Sequence, residues 1–293
     1  MIGAARRKFD CAQPAFKMRQ SADNILSSPR FMKRAPHRPK QGQEVIIMAI
    51  DASKIRNRLL RLLPDETLER LLPHLQPATM LGGMTIDHIN GPITQMYFIN
   101  RGLVSLVKVM RDGRTVEVGA VGIEGVTDPT ALFGIDEAIV ETMVQIPGDA
   151  FRIDRRILVG LMATDSALSR VMQQYTRFAI GQLAQTAACN RLHTLEERCC
   201  RWILTGHDCA GTDTFNLTHE FLGMMLGAPR SSVSLTAKVL QRAGCIDYAR
   251  GSLTVLDRDA LESLACECYF ETQGAMAVLY GPDDPPSQLI ASS

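Results

Sequence analysis

The chain has 293 residues, enough for two compact domains, and 46% of them are hydrophobic, enough to bury a sizeable core. Its 32 basic and 31 acidic residues leave a formal charge of +1, which excludes a polyelectrolyte, so any affinity for nucleic acid has to come from a local patch. No apolar run reaches the roughly 18–20 residues of a membrane span. The 8 cysteines are spread unevenly and no secretory leader precedes them, which predicts a reducing cytoplasm rather than a disulfide framework.

Residues 1–47 carry 10 Lys or Arg against 3 Asp or Glu, with Pro14, Pro29, Pro36 and Pro39 and no surviving period. They are expected to be a disordered basic arm, or to precede a translation start at Met48; the Arg-rich content also mimics an organelle transit peptide. Over 48–160 a roll is expected. Ile55, Leu59, Leu60, Leu62 and Leu63 fit a helix ended by Pro64, and Leu68, Leu71 and Leu72 fit a second. Strand-like runs then cover 96–99, 103–110, 115–121 and 139–146, punctuated by Gly82-Gly83, Gly91-Pro92, Arg101-Gly102, Asp112-Gly113 and Gly122. Asp-Gly between two such runs is a hairpin signal, and short strands at even spacing mean a barrel, roll or sandwich.

From about Arg155 to Cys189 the period turns helical. Leu168, Met172, Tyr175, Ala179, Gln182, Thr186 and Cys189 recur at alternating spacings of four and three. That heptad stripe, within a helical segment over 161–192, predicts a dimerisation seam.

Residues 193–265 carry the most informative pattern. Thr218 is a plausible N-cap for a helix through Phe221, Leu222, Met225 and Leu226. Gly227-Ala228-Pro229 stops it, and a second helix runs from Arg230 to about Ala243, closed by Gly244. Two helices joined by a short turn containing Gly match a helix-turn-helix. On the second helix Val233, Thr236, Ala237 and Leu240 face the core, whereas Arg230, Ser231, Ser234 and Lys238 cluster on another side. Strands over 245–249 and 252–256 about Arg250-Gly251 read as a wing. Arg230, Lys238, Arg242 and Arg250 stand against Asp247 alone over 227–251, which is the local basic patch that the neutral total requires.

These residues resemble the Crp–Fnr transcription regulators, whose sensor is a cyclic-nucleotide-binding-type domain. Residues 97–102, 112–118 and 121–125 fit the family's roll, and 217–222 with 226–234 fit its DNA reader. The resemblance implies an α+β chain: an N-terminal β-roll, a long dimerisation helix, a C-terminal winged helix-turn-helix and a tail over 266–293. It implies a homodimer on a near-palindromic operator of double-stranded DNA, with RNA polymerase as a further partner if the protein activates, and no membrane. By the same resemblance Arg230, Ser231 and Ser234 sit in the major groove and Ser232 contacts phosphate; Thr218, Lys238 and Arg250 complete the expected DNA-binding set.

The sensor departs from the family. Gly122, Glu124 and Gly125 only loosely match the turn that holds a cyclic nucleotide, and Ala138-Ile139 stand where its Arg and Ser would be. Between Arg114 and Arg152 there is no Lys or Arg, but Asp128, Asp136, Glu137 and Glu141 are present, so a cyclic-nucleotide phosphate meets repulsion. Cys11 stands alone near the N-terminus, where an iron–sulfur sensor needs several ligands. Cys199-Cys200 and Cys266-Glu267-Cys268 lack C-x-x-C spacing, so no metal or other cofactor is expected, and His74 and His88 are expected as ordinary surface or core histidines. No catalytic motif is present, so no enzyme is expected. The alternative reading is a cyclic-nucleotide-type or redox-sensing module acting through a protein partner.

Overall fold

Local capping and turn chemistry decides where most elements begin. Asn57 accepts the Leu60 amide and opens α1 (Arg58–Arg61), and Pro64 precedes α2 (Asp65–Leu71). The computed structural model describes residues 51–281, so the arm expected over 1–47 lies outside the described residues.

The roll follows as β1 (Gln76–Met80), β2 (Thr85–Asp87), β3 (Gln95–Val109), β4 (Thr115–Val121) and β5 (Glu141–Asp154). They form an antiparallel sheet in the order β1-β5-β3-β4, with β2 also paired to β5. The strands expected over 96–99 and 103–110 are one strand. Arg101-Gly102 is a bulge and not a turn: the β3–β5 register shifts there, and Gly102 takes a φ of 97°. A Cβ on Gly102 would stand 2.5 Å from the Ile146 carbonyl oxygen, so only glycine lets the two backbones come this close. The bulge bends both long strands and closes the sheet into a roll. Asp112-Gly113 is the hairpin turn between β3 and β4, with Asp112 accepting the Arg114 amide.

The helical run expected from Arg155 is two helices, α3 (Arg155–Thr164) and α4 (Ser166–Leu192). Asp165 separates them because its carboxylate accepts the Ala167 and Leu168 amides, an N-cap that restarts the helix. The heptad stripe on α4 does not form a free seam. Leu168, Met172 and Tyr175 are buried in the chain's own core with Leu59, Phe98 and Leu158, and the Tyr175 hydroxyl donates to the Val126 carbonyl at 3.1 Å. Further along, Thr186 and Cys189 are also buried. What covers this end is α9 (Cys268–Tyr280), a helix inside the stretch expected as a tail over 266–293. The Thr272 hydroxyl of α9 donates to Gln182 Oε1 at 2.8 Å. The outward face of α4 is instead Gln173, Arg177, Ile180, Ala184, Ala187 and Arg191, also spaced by fours and threes.

The C-terminal half contains α5 (Leu195–Ala210), β6 (Thr214–Asn216), α6 (His219–Leu226), α7 (Arg230–Arg242), β7 (Ile246–Ala249), β8 (Ser252–Val255) and α8 (Arg258–Leu264). A reciprocal capping box between Thr194 and Glu197 starts α5, and the three strands form a sheet in the order β6-β8-β7. One continuous core joins the two halves. Leu103, Val107 and Ile146 of the roll pack with Trp202, Ile203 and Phe215 of the C-terminal half. At that junction the inward-facing Glu117 of β4 accepts from Trp202 Nε1 at 3.2 Å and from the Ser105 hydroxyl at 2.5 Å.

Candidate nucleic-acid interface

Each piece of the helix-turn-helix follows from a residue that the local chain needs. Thr218 caps α6 by accepting the Phe221 amide at 3.1 Å, which gives this expected DNA-binding residue a structural task. Gly227 ends α6 in the left-handed region at φ 59°, and the Ala228 amide donates to the Gly223 carbonyl. Pro229 then stands immediately before α7, where its fixed φ and missing amide cost nothing. Val233, Ala237 and Leu240 bury one stripe of α7 against the core, as their spacing predicts. Arg230 and Ser231 are exposed at its first turn, and Lys238 and Arg242 continue along the open side.

The expected cluster is present but is not uniform. Ser232 is half-buried. Ser234 is half-buried as well, and its hydroxyl is 3.0 Å from His219 Nδ1, so it ties α7 to the start of α6. His219 stacks on Tyr248 of β7 with ring centroids 4.2 Å apart, and the Tyr248 hydroxyl donates to the Leu217 carbonyl. Burial first, then the charges of Arg230 and Lys238, holds the His219 imidazole below its ordinary range. Sequence reasoning missed this His219–Ser234–Tyr248 brace, which fixes both helices to the wing. It also missed Leu235, which is 65% exposed on the open face of α7.

The wing is a two-residue turn. Arg250 and Gly251 have φ of 52° and 83°, and Ala249 pairs with Ser252 across the turn. Positive φ at both central positions matches the twist of a hairpin and presents the Arg250 side chain at the tip. Arg230, Lys238, Arg242 and Arg250 have no acidic partner among the described residues. A cation at a helix N-terminus is opposed by the helix dipole, so the charge of Arg230 does not stabilise α7.

The sensor side is of opposite character. A cavity of about 100 Å³ lies between β4, the segment around Asp128 and Ile139, and α4. Its lining is mostly apolar, including Leu106, Val121, Tyr175 and Ile180, and the charged residues in it are Glu124 and Asp128. Burial raises both carboxyls above their ordinary range. Asp87, hydrogen-bonded to Asp128, is pushed up to about 7 by burial and then by the charge of that neighbour. Of the three expected ligand residues, only Glu124 lines this cavity, and its carboxylate accepts the Gly122 amide at 2.8 Å. Gly122 is covered by Cys209 and Gly125 by Tyr175, so tightly that a side chain on either would collide. Arg114 stays in the β3–β4 hairpin, paired with Asp112 at 2.8 Å.

Residues 197–264 match the family model of the Crp-like helix-turn-helix domain. FixK2 from Bradyrhizobium japonicum shares the fold at a TM-score of 0.57 and 17% identity, over 66% of this chain and 98% of its own. TTHB099, a transcriptional regulator of the CRP family from Thermus thermophilus, does so at 0.53 and 23%, over 64% and 96%. The c-di-GMP-responsive global regulator CLP of Xanthomonas campestris does so at 0.52 and 17%, over 66% and 99%. A comparison with curated proteins finds no match.

Proposed function

We propose that this chain, whose residues 197–264 match the Crp-like helix-turn-helix domain and whose fold is shared with Crp-type structures, is a Crp–Fnr-type transcription regulator that reads a near-palindromic operator as a homodimer, through the first turn of α7. The single observation that carries this reading is Arg230, exposed at the N-terminus of α7 without an acidic partner among the described residues and flanked by Ser231. An arginine there is placed to grip guanine O6 and N7 with two hydrogen bonds, while serine tolerates either base. Leu235, one turn further along the open face, suits a thymine methyl group. Ser232, Lys238 and Arg250 are assigned to phosphates, which position the reader without carrying sequence information.

The dimer contact is assigned to the outward stripe of α4. Ile180 is 57% exposed there, and Ala184 and Ala187 are small enough to let two helices approach closely. For the roll, the acidic and apolar cavity favours a neutral or apolar effector over a cyclic nucleotide, because a buried phosphodiester needs a cation or a full set of N–H donors. The protein is assigned to the cytoplasm on the strength of its Crp-like helix-turn-helix domain; no helix among the described residues is long and apolar enough to cross a membrane.

Selection of bound duplexes from a randomised library by the full chain tests this reading. It predicts two inverted half-sites with centres about one helical turn, ~34 Å, apart, and binding that falls steeply with salt. Recovery of no motif, or of one isolated half-site bound by one chain, contradicts it.

A further inference from the structure

Four metal-type donors meet where α4 ends and α9 begins. Cys189 and His193, four residues apart, come from the last turn of α4 and its C-cap; Cys266 comes from the link between α8 and α9, and Cys268 is the first residue of α9. One ligand atom from each residue lies within 4.8 Å of all the others. Cys189 Sγ and Cys266 Sγ are 3.6 Å apart, and Cys268 Sγ is 3.4 Å from His193 Nδ1. These separations can be compared with a tetrahedron. Bonds of about 2.3 Å to sulfur and about 2.0–2.1 Å to nitrogen place two sulfurs ~3.8 Å apart, and a sulfur and a nitrogen ~3.5 Å apart. These two edges lie within a few tenths of an ångström of those of a tetrahedral Cys3His site, and no other edge exceeds 4.8 Å.

We propose that Cys189, His193, Cys266 and Cys268 bind one zinc ion that fastens the end of α4 to the start of α9. All three cysteines are buried, and each donor set comes from an element whose position is otherwise fixed, Cys189 by α4 in the core and Cys268 by the first turn of α9. His193 leaves the helix at φ −103° and ψ 152°, which turns its ring away from the α4 axis and onto Cys268. Around the four donors stand groups that suit a thiolate-rich site. Gln185 Nε2 donates to Cys268 Sγ at 3.0 Å, and the Glu267 carboxylate is 3.9 Å from His193 Nε2, the ring nitrogen facing away from the proposed metal.

Two other assignments fit less well. A disulfide between Cys189 and Cys266 needs its sulfurs about 2.05 Å apart and would leave Cys268 and His193 without a purpose. An iron–sulfur cluster takes its ligands on different irons, whereas here the four ligand atoms all lie within 4.8 Å of one another, close enough for one ion. Three thiolates and an imidazole select a borderline-soft ion with tetrahedral preference, and four protein ligands leave no open position, which marks a structural site rather than a catalytic one. Binding exchanges three thiol protons, released to solvent, for one divalent ion; no electron is transferred.

The experiment uses the full chain, purified under reducing conditions without chelator. Elemental analysis is expected to find one zinc per chain. Exchange into cobalt(II) is expected to give thiolate-to-metal charge transfer and the intense visible bands of a tetrahedral ion. Cys266→Ser and Cys268→Ser should each lose stoichiometric metal, and Cys199→Ala, a buried cysteine outside the set, should keep it. A measurement on the unmutated chain guards against variants that do not fold: stripping the metal with a strong chelator should lower the melting temperature, and one equivalent of zinc should restore it. A reduced wild-type chain that takes up no zinc, a cobalt spectrum without thiolate bands, or Cys266→Ser and Cys268→Ser chains that fold and retain full metal would each overturn the proposal.

Discussion

At the scale of single residues, the reader surface separates side chains that hold the fold from side chains left open. The Thr218 hydroxyl, the Ser234 hydroxyl and His219 Nδ1 are engaged in a cap and a brace inside the domain, whereas the Arg230 side chain has no acidic partner among the described residues. Arg230→Ala should therefore leave the melting temperature nearly unchanged. It should cost roughly 1–3 kcal/mol on the selected operator and relax preference at one base position per half-site, read by anisotropy titration across single-base variants. Lys238→Ala and Arg250→Ala should weaken every duplex alike and lower the salt slope by about one each. Glu117 offers a test away from DNA. Burial first raises its carboxyl from an ordinary 4.5 to about 7, although Ser105, Arg201 and Trp202 oppose the shift. A raised carboxyl contributes stability that is fully present below pH 4.5 and is lost as pH rises through about 7. Glu117→Gln keeps partners for Trp202 and Ser105 without the charge. It should be more stable than wild type at pH 8 by at most about 3 kcal/mol, with the difference vanishing near pH 4 in denaturant titrations.

At the scale of elements, the sequence was most legible where a local rule and a buried face agree. Thr218, Gly227, Pro229 and the Val233–Ala237–Leu240 stripe specify α6, α7 and their turn almost to the residue, and Arg250-Gly251 specifies the wing. It misled where tertiary approach decides. Gly102 reads as turn punctuation because glycine marks turns and bulges alike; only the Ile146 carbonyl on the facing strand distinguishes them. The stripe from Leu168 to Cys189 was correctly periodic, but periodicity does not say which partner covers a face, and here the roll and α9 cover it. The Cys189–His193–Cys266–Cys268 set stayed hidden for a related reason: 77 residues separate its two halves, and neither half alone has a metal-knuckle spacing. The dimer face proposed on α4 carries its own prediction. Ile180→Glu should shift the chain to monomers at micromolar concentration in sedimentation velocity without loss of helicity, while the same change at Arg177, also on the outward face but already charged, should shift it less.

At the scale of the whole molecule, the roll and the helix-turn-helix half share one core. Trp202 of α5 is hydrogen-bonded to Glu117 of β4, and Gly227 in the turn between α6 and α7 lies against Val116 of the same strand. A ligand in the cavity beside β4 and α4 would touch both the helix proposed as the dimer contact and the strand under the turn between α6 and α7, and would shift an equilibrium only by binding the two states unequally. Titration with cAMP to millimolar concentration should change neither the melting temperature nor operator affinity, since the charged groups of that cavity are carboxyls. A saturable stabilisation of about 2–3 kcal/mol at one hundred times the dissociation constant would contradict this.

The central claim is that α7 reads guanine in the major groove of a two-fold operator through Arg230. Methylation interference at guanine N7 on the selected duplex, run in parallel with the wild-type chain and Arg230→Ala, tests it most directly. The account predicts that wild-type binding is blocked by methylation at symmetry-related guanines about one helical turn apart, and that Arg230→Ala loses sensitivity at those same guanines while still binding. Interference confined to one half of the duplex, or a pattern that survives unchanged in Arg230→Ala, would contradict it.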